Sequence, residues 1–302
     1  MPIVEVRGLY KRYGDRTAVD GVSFDVREGE IFGILGSNGA GKTTTAECVS
    51  GLRRPDEGTV RVAGLDPIAD RVALTEILGA QLQQSELQPK MTVREALELY
   101  ASFYPHPVDG IALAERLGLG HALGTRFAKL SGGQQQRLFI ALALIGAPRV
   151  VVLDELTTGL DPRGRRETWE LIEEIRASGV TVLLVTHFME EAQRLCDRVA
   201  IFDSGRIEAL GTPTELIDRT STAVVVSFRP SASLDPEALS ALPGVLAVRR
   251  DHDRLVVEGN DESVEAVLAL LAREGISPRR LRITEATLDD AFLDITASEK
   301  LT

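Results

Sequence analysis

Ile31-Phe32-Gly33-Ile34-Leu35-Gly36-Ser37-Asn38-Gly39-Ala40-Gly41-Lys42-Thr43-Thr44 decides how the rest of the chain is read. Its first five residues form an apolar run too short for a helix and suited to a buried strand. Gly36 to Thr43 fits G-x-x-x-x-G-K-[ST], and a helix is expected from about Gly41 to Ser50. Strand, glycine loop and helix in that order form the unit of parallel α/β proteins. The chemistry of the pattern is anion binding. Glycines let the backbone curl so that successive N–H groups and the helix N-terminus face a phosphate, Lys42 adds a full charge, and the Thr43 hydroxyl suits magnesium. Ser37, Asn38, Gly39, Ala40, Gly41, Lys42, Thr43 and Thr44 are therefore candidate phosphate contacts. A glycine turn with a solvated lysine is the plainer account, and the strand before it and helix after it argue against that account.

A second apolar strand, Val150-Val151-Val152-Leu153, ends in Asp154 and Glu155. Adjacent carboxylates at a strand end can divide labour: Asp154 as the metal-holding group and Glu155 as the group that polarises an attacking water. Taken alone this is an ordinary solvated strand end; the glycine loop upstream makes it more. Leu130-Ser131-Gly132-Gly133-Gln134 supports two compatible readings. Ser131 and Gln134 stand three apart as in a helix capping box. A capped start with two glycines also exposes N–H groups and the positive end of a helix dipole, a second phosphate site that lacks a lysine.

Elsewhere, residues 3–10, 22–27 and 58–63 alternate apolar and polar residues between Gly and Asp, as an antiparallel group does. Val180 to Val185 is another buried strand, and Pro162 to Ser178 a helix whose start is fixed by Asp161 as N-cap before proline. The middle, about 70–145, is expected to be mostly helical, with Thr92 to Glu95 a capping box and Leu138 to Ile145 the apolar part of a helix. The expected fold is thus α/β, with an antiparallel β subdomain and a helical insertion. After Gly211-Thr212-Pro213 the texture shifts. A short helix at 214–219 precedes strands at 222–228, 245–249 and 255–258, a helix at 263–274, a strand at 279–283 and a closing helix at 287–296. The boundary is placed near 219, leaving 220–302 as a small α+β domain.

A length of 302 residues suits one large and one small domain. A hydrophobic fraction of 44%, a charged fraction of 26% and a net charge of −11 fit a globular chain and disfavour a nucleic-acid partner. Cys48 and Cys196 are too few for a disulfide framework or metal cluster. No run reaches the ~18 apolar residues of a membrane span, and Met1 to Arg7 lacks the basic and apolar regions of a signal peptide. A cytoplasmic location is expected.

With the glycine loop, Leu130–Gln134 and the acidic strand in this order, residues 1–219 resemble the ATPase subunit of an ATP-binding cassette (ABC) transporter. The resemblance implies a P-loop NTPase core with ATP and Mg2+ as cofactors. It assigns Tyr13 to stacking on adenine, Gln83 to sensing magnesium and the γ-phosphate at the edge of the insertion, and His187 to the γ-phosphate. It also turns Gly159-Leu160-Asp161 toward a partner ATPase. Leu156 stands where the family usually has proline, and Thr158 where it usually has serine. The Gln88-Pro89 region lies on the surface that contacts the membrane subunit in relatives.

Further, the resemblance implies a site shared by two copies in a homodimer, with Ser131, Gly132, Gly133 and Gln134 of one copy completing the nucleotide site around Lys42 of the other. ATP then closes the dimer, and hydrolysis assisted by Glu155 reopens it. Separate membrane subunits would dock near 84–103, holding the chain at the inner face of the cell membrane. Residues 280–296 resemble the tail of exporter-type ATPases of the drug and antibiotic group. They read equally as a plain amphipathic helix, with Leu288, Ala291, Phe292 and Ile295 on one face. A soluble non-transport ABC ATPase is the first alternative, although no second cassette, basic linker or coiled-coil insertion is visible. A nucleotide-responsive regulatory module is the other, and it would have no use for Glu155.

Overall fold

The computed structural model describes residues 2–82, 86–219 and 224–298, and its contacts divide the chain into two units after Thr212. In the first unit the elements run β1 (Pro2–Tyr13), β2 (Arg16–Arg27), β3 (Ile31–Gly36), α1 (Lys42–Val49), β4 (Glu57–Val62), α2 (Arg71–Thr75), β5 (Leu78–Gln81) and α3 (Val93–Ala101). They continue with α4 (Gly110–Arg116), α5 (Gly132–Leu144), β6 (Val150–Asp154), α6 (Pro162–Ala177), β7 (Thr181–Thr186), α7 (Met189–Leu195), β8 (Arg198–Asp203) and β9 (Arg206–Gly211).

Six strands form one sheet in the order β5-β6-β7-β3-β8-β9, parallel except for β9. Strands β3, β6 and β7 are buried at every position, which is why they read as unbroken apolar runs. A second, antiparallel sheet has the order β2-β1-β4. Helix α1 is packed between the two: Ala46, Cys48 and Val49 share one core with Val4, Val6 and Phe24 on one side and Phe32, Ile34, Val152 and Val185 on the other. Phe24 and Phe32 stack across it with centroids 5.2 Å apart. This sandwich fixes α1, and with it the glycine loop, at the carboxyl ends of the parallel strands, where open α/β sheets bind ligands.

Two features depart from the sequence reading. Within the stretch 70–145, expected to be mostly helical, β5 was not anticipated and lies beside the helices as an edge strand on β6. Its Leu-Gly-Ala-Gln sequence has no alternation to announce a strand; Gly79 is there because a Cβ would strike the Ala143 carbonyl of α5. The β8–β9 hairpin was not foreseen either. Ser204 and Gly205, both at positive φ (46° and 87°), make its two-residue turn. Both expected capping boxes are present, Thr92 with Glu95 on α3 and Ser131 with Gln134 on α5.

The second unit contains α8 (Pro213–Ile217), β10 (Val224–Pro230), α9 (Pro236–Ser240), β11 (Val245–Asp251), β12 (Arg254–Gly259), α10 (Asp261–Arg273), β13 (Pro278–Glu285) and α11 (Leu288–Ser298). Its sheet is antiparallel in the order β11-β12-β10-β13. From β10 to β13 the connectivity is β-α-β-β-α-β, the split βαβ arrangement. Val226, Phe228, Leu255, Val257, Val267 and Leu271 are in its core, and α8 packs with α11. Among the described residues no helix is long and apolar enough to cross a membrane.

Candidate nucleotide site

Helix α1 begins at Gly41, whose φ of +100° no other residue adopts easily and whose Cβ would strike the Ala18 carbonyl. Among the described residues no side chain caps this helix, so its first N–H groups are available to a ligand. They open into a cavity of about 460 Å³ lined by Tyr13, Arg16, Asn38, Lys42, Thr43 and Glu155, among others. Lys42 is only 4% exposed, and its Nζ donates to the Gly36 carbonyl at 2.8 Å and the Ser37 carbonyl at 2.9 Å. Burial pushes its ammonium below the usual lysine value, against the pull of the Glu155 and Asp154 charges. The cradle therefore holds a cation over a ring of amides, which fits a polyphosphate.

Asp154 closes β6 with 0% exposure, and among the described residues no group lies in good hydrogen-bonding geometry to either carboxylate oxygen, the Thr43 hydroxyl being the nearest donor named. Burial, helped by the Glu155 charge, raises its carboxyl to about 6, while Lys42 and the Thr43 hydroxyl pull it down. Two orphaned carboxylate oxygens beside a threonine hydroxyl form a hard oxygen donor set suited to Mg2+. The same orphaning has a thermodynamic signature. A carboxylate whose folded value exceeds its unfolded one destabilises the fold increasingly as pH rises from about 4 to about 6, by of order 3 kcal/mol in total. Asp154→Asn is accordingly expected to raise the melting temperature of the metal-free protein by roughly 2–6 °C at pH 8 and not at pH 4. Calorimetry in chelator at both pH values checks this, and equal melting temperatures at pH 8 would refute it.

One residue on, Glu155 sits at φ +51°, a turn sharp enough to be rare outside glycine, with its N–H held by the Val185 carbonyl at 2.8 Å. Its Oε1 lies 3.2 Å from His187 Nδ1 at the end of β7, so β6 and β7 bring the two together at adjacent strand ends. Tyr13 arrives differently: β1 extends past the expected 3–10 stretch, and the hairpin with β2 sets Tyr13 opposite Arg16 at the cavity mouth. The Tyr13 ring is 41% exposed, with Arg53 over it at 5.1 Å.

Ser131 and Gln134 cap α5, with Ser131 N–H donating to Gln134 Oε1 at 2.9 Å and Gln134 N–H to Ser131 Oγ at 3.3 Å. Gly132 is exposed, and a Cβ on Gly133 would meet nothing within 4 Å. Among the described residues nothing demands the glycine pair: a Cβ on Gly132 would make only ordinary contact with Leu160, at 3.9 Å. Asp161 accepts from Arg163 N–H and Gly164 N–H and starts α6 as expected. Ser131 to Gln134 and Asp161 are not among the residues lining the cavity around Lys42. Gln83 lies outside the described residues.

Three contributors escaped the sequence reading. Arg16 lines the cavity and donates to the Gly39 carbonyl at 3.3 Å. Gln81, buried at the end of β5, accepts from the Asp154 N–H at 3.3 Å. Gly205 donates to the Ala40 carbonyl at 3.2 Å, so the β8–β9 turn braces the glycine loop. The Ser-Gly pair between two β-rich runs was the available signal for the last of these; the other two had none beyond proximity to Tyr13 and Asp154.

A family model for ABC transporters matches residues 19–158. Over 99% of its length the chain is 38% identical to the Nod factor export ATP-binding protein I of Ralstonia nicotianae, covering 95% of that protein. Over 98% it is 36% identical to the daunorubicin resistance ATP-binding protein DrrA3 of Streptomyces coeruleorubidus, covering 97%. Among solved structures, an ATP-binding subunit of an ABC transporter aligns with TM-score 0.65 and 28% identity over 72% of this chain and 92% of that one. A dimeric ATP-binding cassette in a post-hydrolysis state with ADP and Pi aligns with TM-score 0.62 and 27% identity over 69% of this chain and 98% of that one. Identity of this degree along nearly the whole chain, on the same fold, makes the protein a member of the ABC transporter ATP-binding family and an ATP hydrolase.

Proposed function

We propose that MgATP closes two copies of this chain head to tail and that hydrolysis reopens them, driving export through separate membrane subunits at the inner face of the membrane. Residues 1–219 form the ATP-binding domain in this reading, and 220–302 an accessory domain. The main-chain amides of residues 37–44 and the Lys42 ammonium grip the phosphates, and Tyr13 stacks on the base. Asp154 and Thr43 hold magnesium, and the resemblance gives Gln83 to the same ion; the ion, when bound, would neutralise charge on the phosphates. Glu155 orients and polarises the attacking water, and His187 keeps that carboxylate aimed while facing the γ-phosphate. Ser131 to Gln134 of the opposite copy seal the site, with Asp161 at the junction.

The observation that carries this reading is the placing of Glu155, in contact with His187, on the wall of the same cavity as Lys42 and Thr43. An intact acid there favours hydrolysis over mere nucleotide sensing. Export is supported by the names of the relatives that match the chain through its last domain. The test is purification from membranes followed by ATPase assay. Wild type should come with a multi-spanning polypeptide that stimulates turnover, whereas Gly133→Val should retain that partner, fold normally and lose ATP-dependent dimerisation. The fold is expected to tolerate this side chain because, among the described residues, nothing lies within 4 Å of a Cβ at this position. A dimerising Gly133→Val, or a chain purified with no integral partner, would overturn the proposal.

A further inference from the structure

Glu191, on α7, is 0% exposed and takes no part in the site as described above. Its Oε1 accepts from Trp169 Nε1 of α6 at 2.9 Å. Among the described residues its buried Oε2 has no partner in good hydrogen-bonding geometry, and the hydroxyls of Thr186 and Thr157 lie against the carboxylate. Thr157 Oγ1 is itself buried and, among the described residues, likewise has no partner in good hydrogen-bonding geometry. Thr157 stands two residues after Glu155, and Thr186 one residue before His187. Thr186 Oγ1 also accepts from the Phe188 N–H at 3.0 Å, and Arg165 lies over the Phe188 ring at 4.3 Å. A single carboxylate thus reaches both loops whose tips carry the Glu155–His187 contact.

We propose that Glu191 is a positioning residue that ties the 155–160 loop to the His187 turn, with the Thr157 hydroxyl closing onto Glu191 Oε2 when the loop settles on bound nucleotide. A buried carboxylate with an open acceptor beside a buried, unbonded hydroxyl is a costly pair that one small movement satisfies. Packing alone does not account for it, since glutamine would fill the same volume and still accept from the Trp169 indole. The inference rests on Glu155 and His187 acting together in hydrolysis.

The test is built on Glu191→Gln and Thr157→Val in the full chain, with Glu155→Gln in parallel. Glu191→Gln keeps the indole bond but loses the charge and the acceptor pair. Thr157→Val keeps the volume and removes a hydroxyl that lies against Glu191 outside good hydrogen-bonding geometry, so it costs the fold little even where Glu191→Gln fails. Each is expected to lower kcat roughly 10- to 100-fold, the scale of a slight misplacement of a catalytic group, with KM for ATP changed by less than about threefold. The double variant should be no slower than the slower single one, because both break one contact. Trp169, the sole tryptophan of the chain, is the reporter: its emission should shift on MgATP in wild type and not in Thr157→Val. Turnover within about twofold of wild type in both variants, additive losses, or a persisting shift in Thr157→Val would overturn the proposal. A fully active Glu155→Gln would overturn the hydrolytic reading and this inference together. An inactive Glu155→Gln beside fully active Glu191→Gln and Thr157→Val would overturn this inference alone.

Discussion

Glu155→Gln should bind ATP as tightly as wild type, hydrolyse it about 100-fold or more slowly, and run as a dimer only in the presence of ATP. The substitution keeps the volume and leaves a side-chain oxygen to meet His187, so the 3.2 Å contact has a surviving acceptor and the cavity wall is unchanged. What it removes is the negative charge that draws a proton from water. The variant thereby separates the two roles proposed above, the phosphate grip of the loop at 36–43 and the proton chemistry at the end of β6. Size-exclusion chromatography with and without ATP, alongside a phosphate-release assay, reads both halves. A variant that stays monomeric in ATP would sink the shared-site reading, and one that turns over normally would remove Glu155 from its assigned role.

The second large effect is expected from Lys42→Ala, which should abolish turnover and weaken ATP binding roughly 10- to 150-fold, the worth of one or two hydrogen bonds to a charged group in a site shielded from water. Lys42 is buried, and its ammonium is already held over the loop by the Gly36 and Ser37 carbonyls. A ligand phosphate therefore meets a charge that is in place and poorly hydrated, which strengthens its effect. Calorimetric titration with ATP measures the binding loss directly. Unaltered affinity would mean that the backbone amides alone hold the phosphates.

Much of this was legible in the sequence because the decisive features are local. The glycine loop, the acidic end of β6, the caps at Thr92, Ser131 and Asp161, and the buried strands each write their geometry into a few consecutive residues. What was not legible depends on pairing across distance. Gln81 matters only because β5 adds to the edge of β6, and no pattern within Leu78–Gln81 announces that. Arg16 reaches Gly39 because β1 and β2 pair to their very tips, and Gly205 reaches Ala40 because β8 lies beside β3. The split βαβ order of the second unit was hidden for the same reason: its strands and helices could be read, but their neighbours could not.

The reciprocal cap on α5 has one more consequence. Because Ser131 and Gln134 satisfy each other within their own chain, the start of that helix does not wait for a partner to become ordered. In the head-to-tail dimer proposed above, docking of one copy on another would then be an encounter of preorganised surfaces, with little folding entropy to be lost at the moment of contact. Its rate should follow collision and orientation, and its heat-capacity change should track the area covered without any added contribution from newly formed helix.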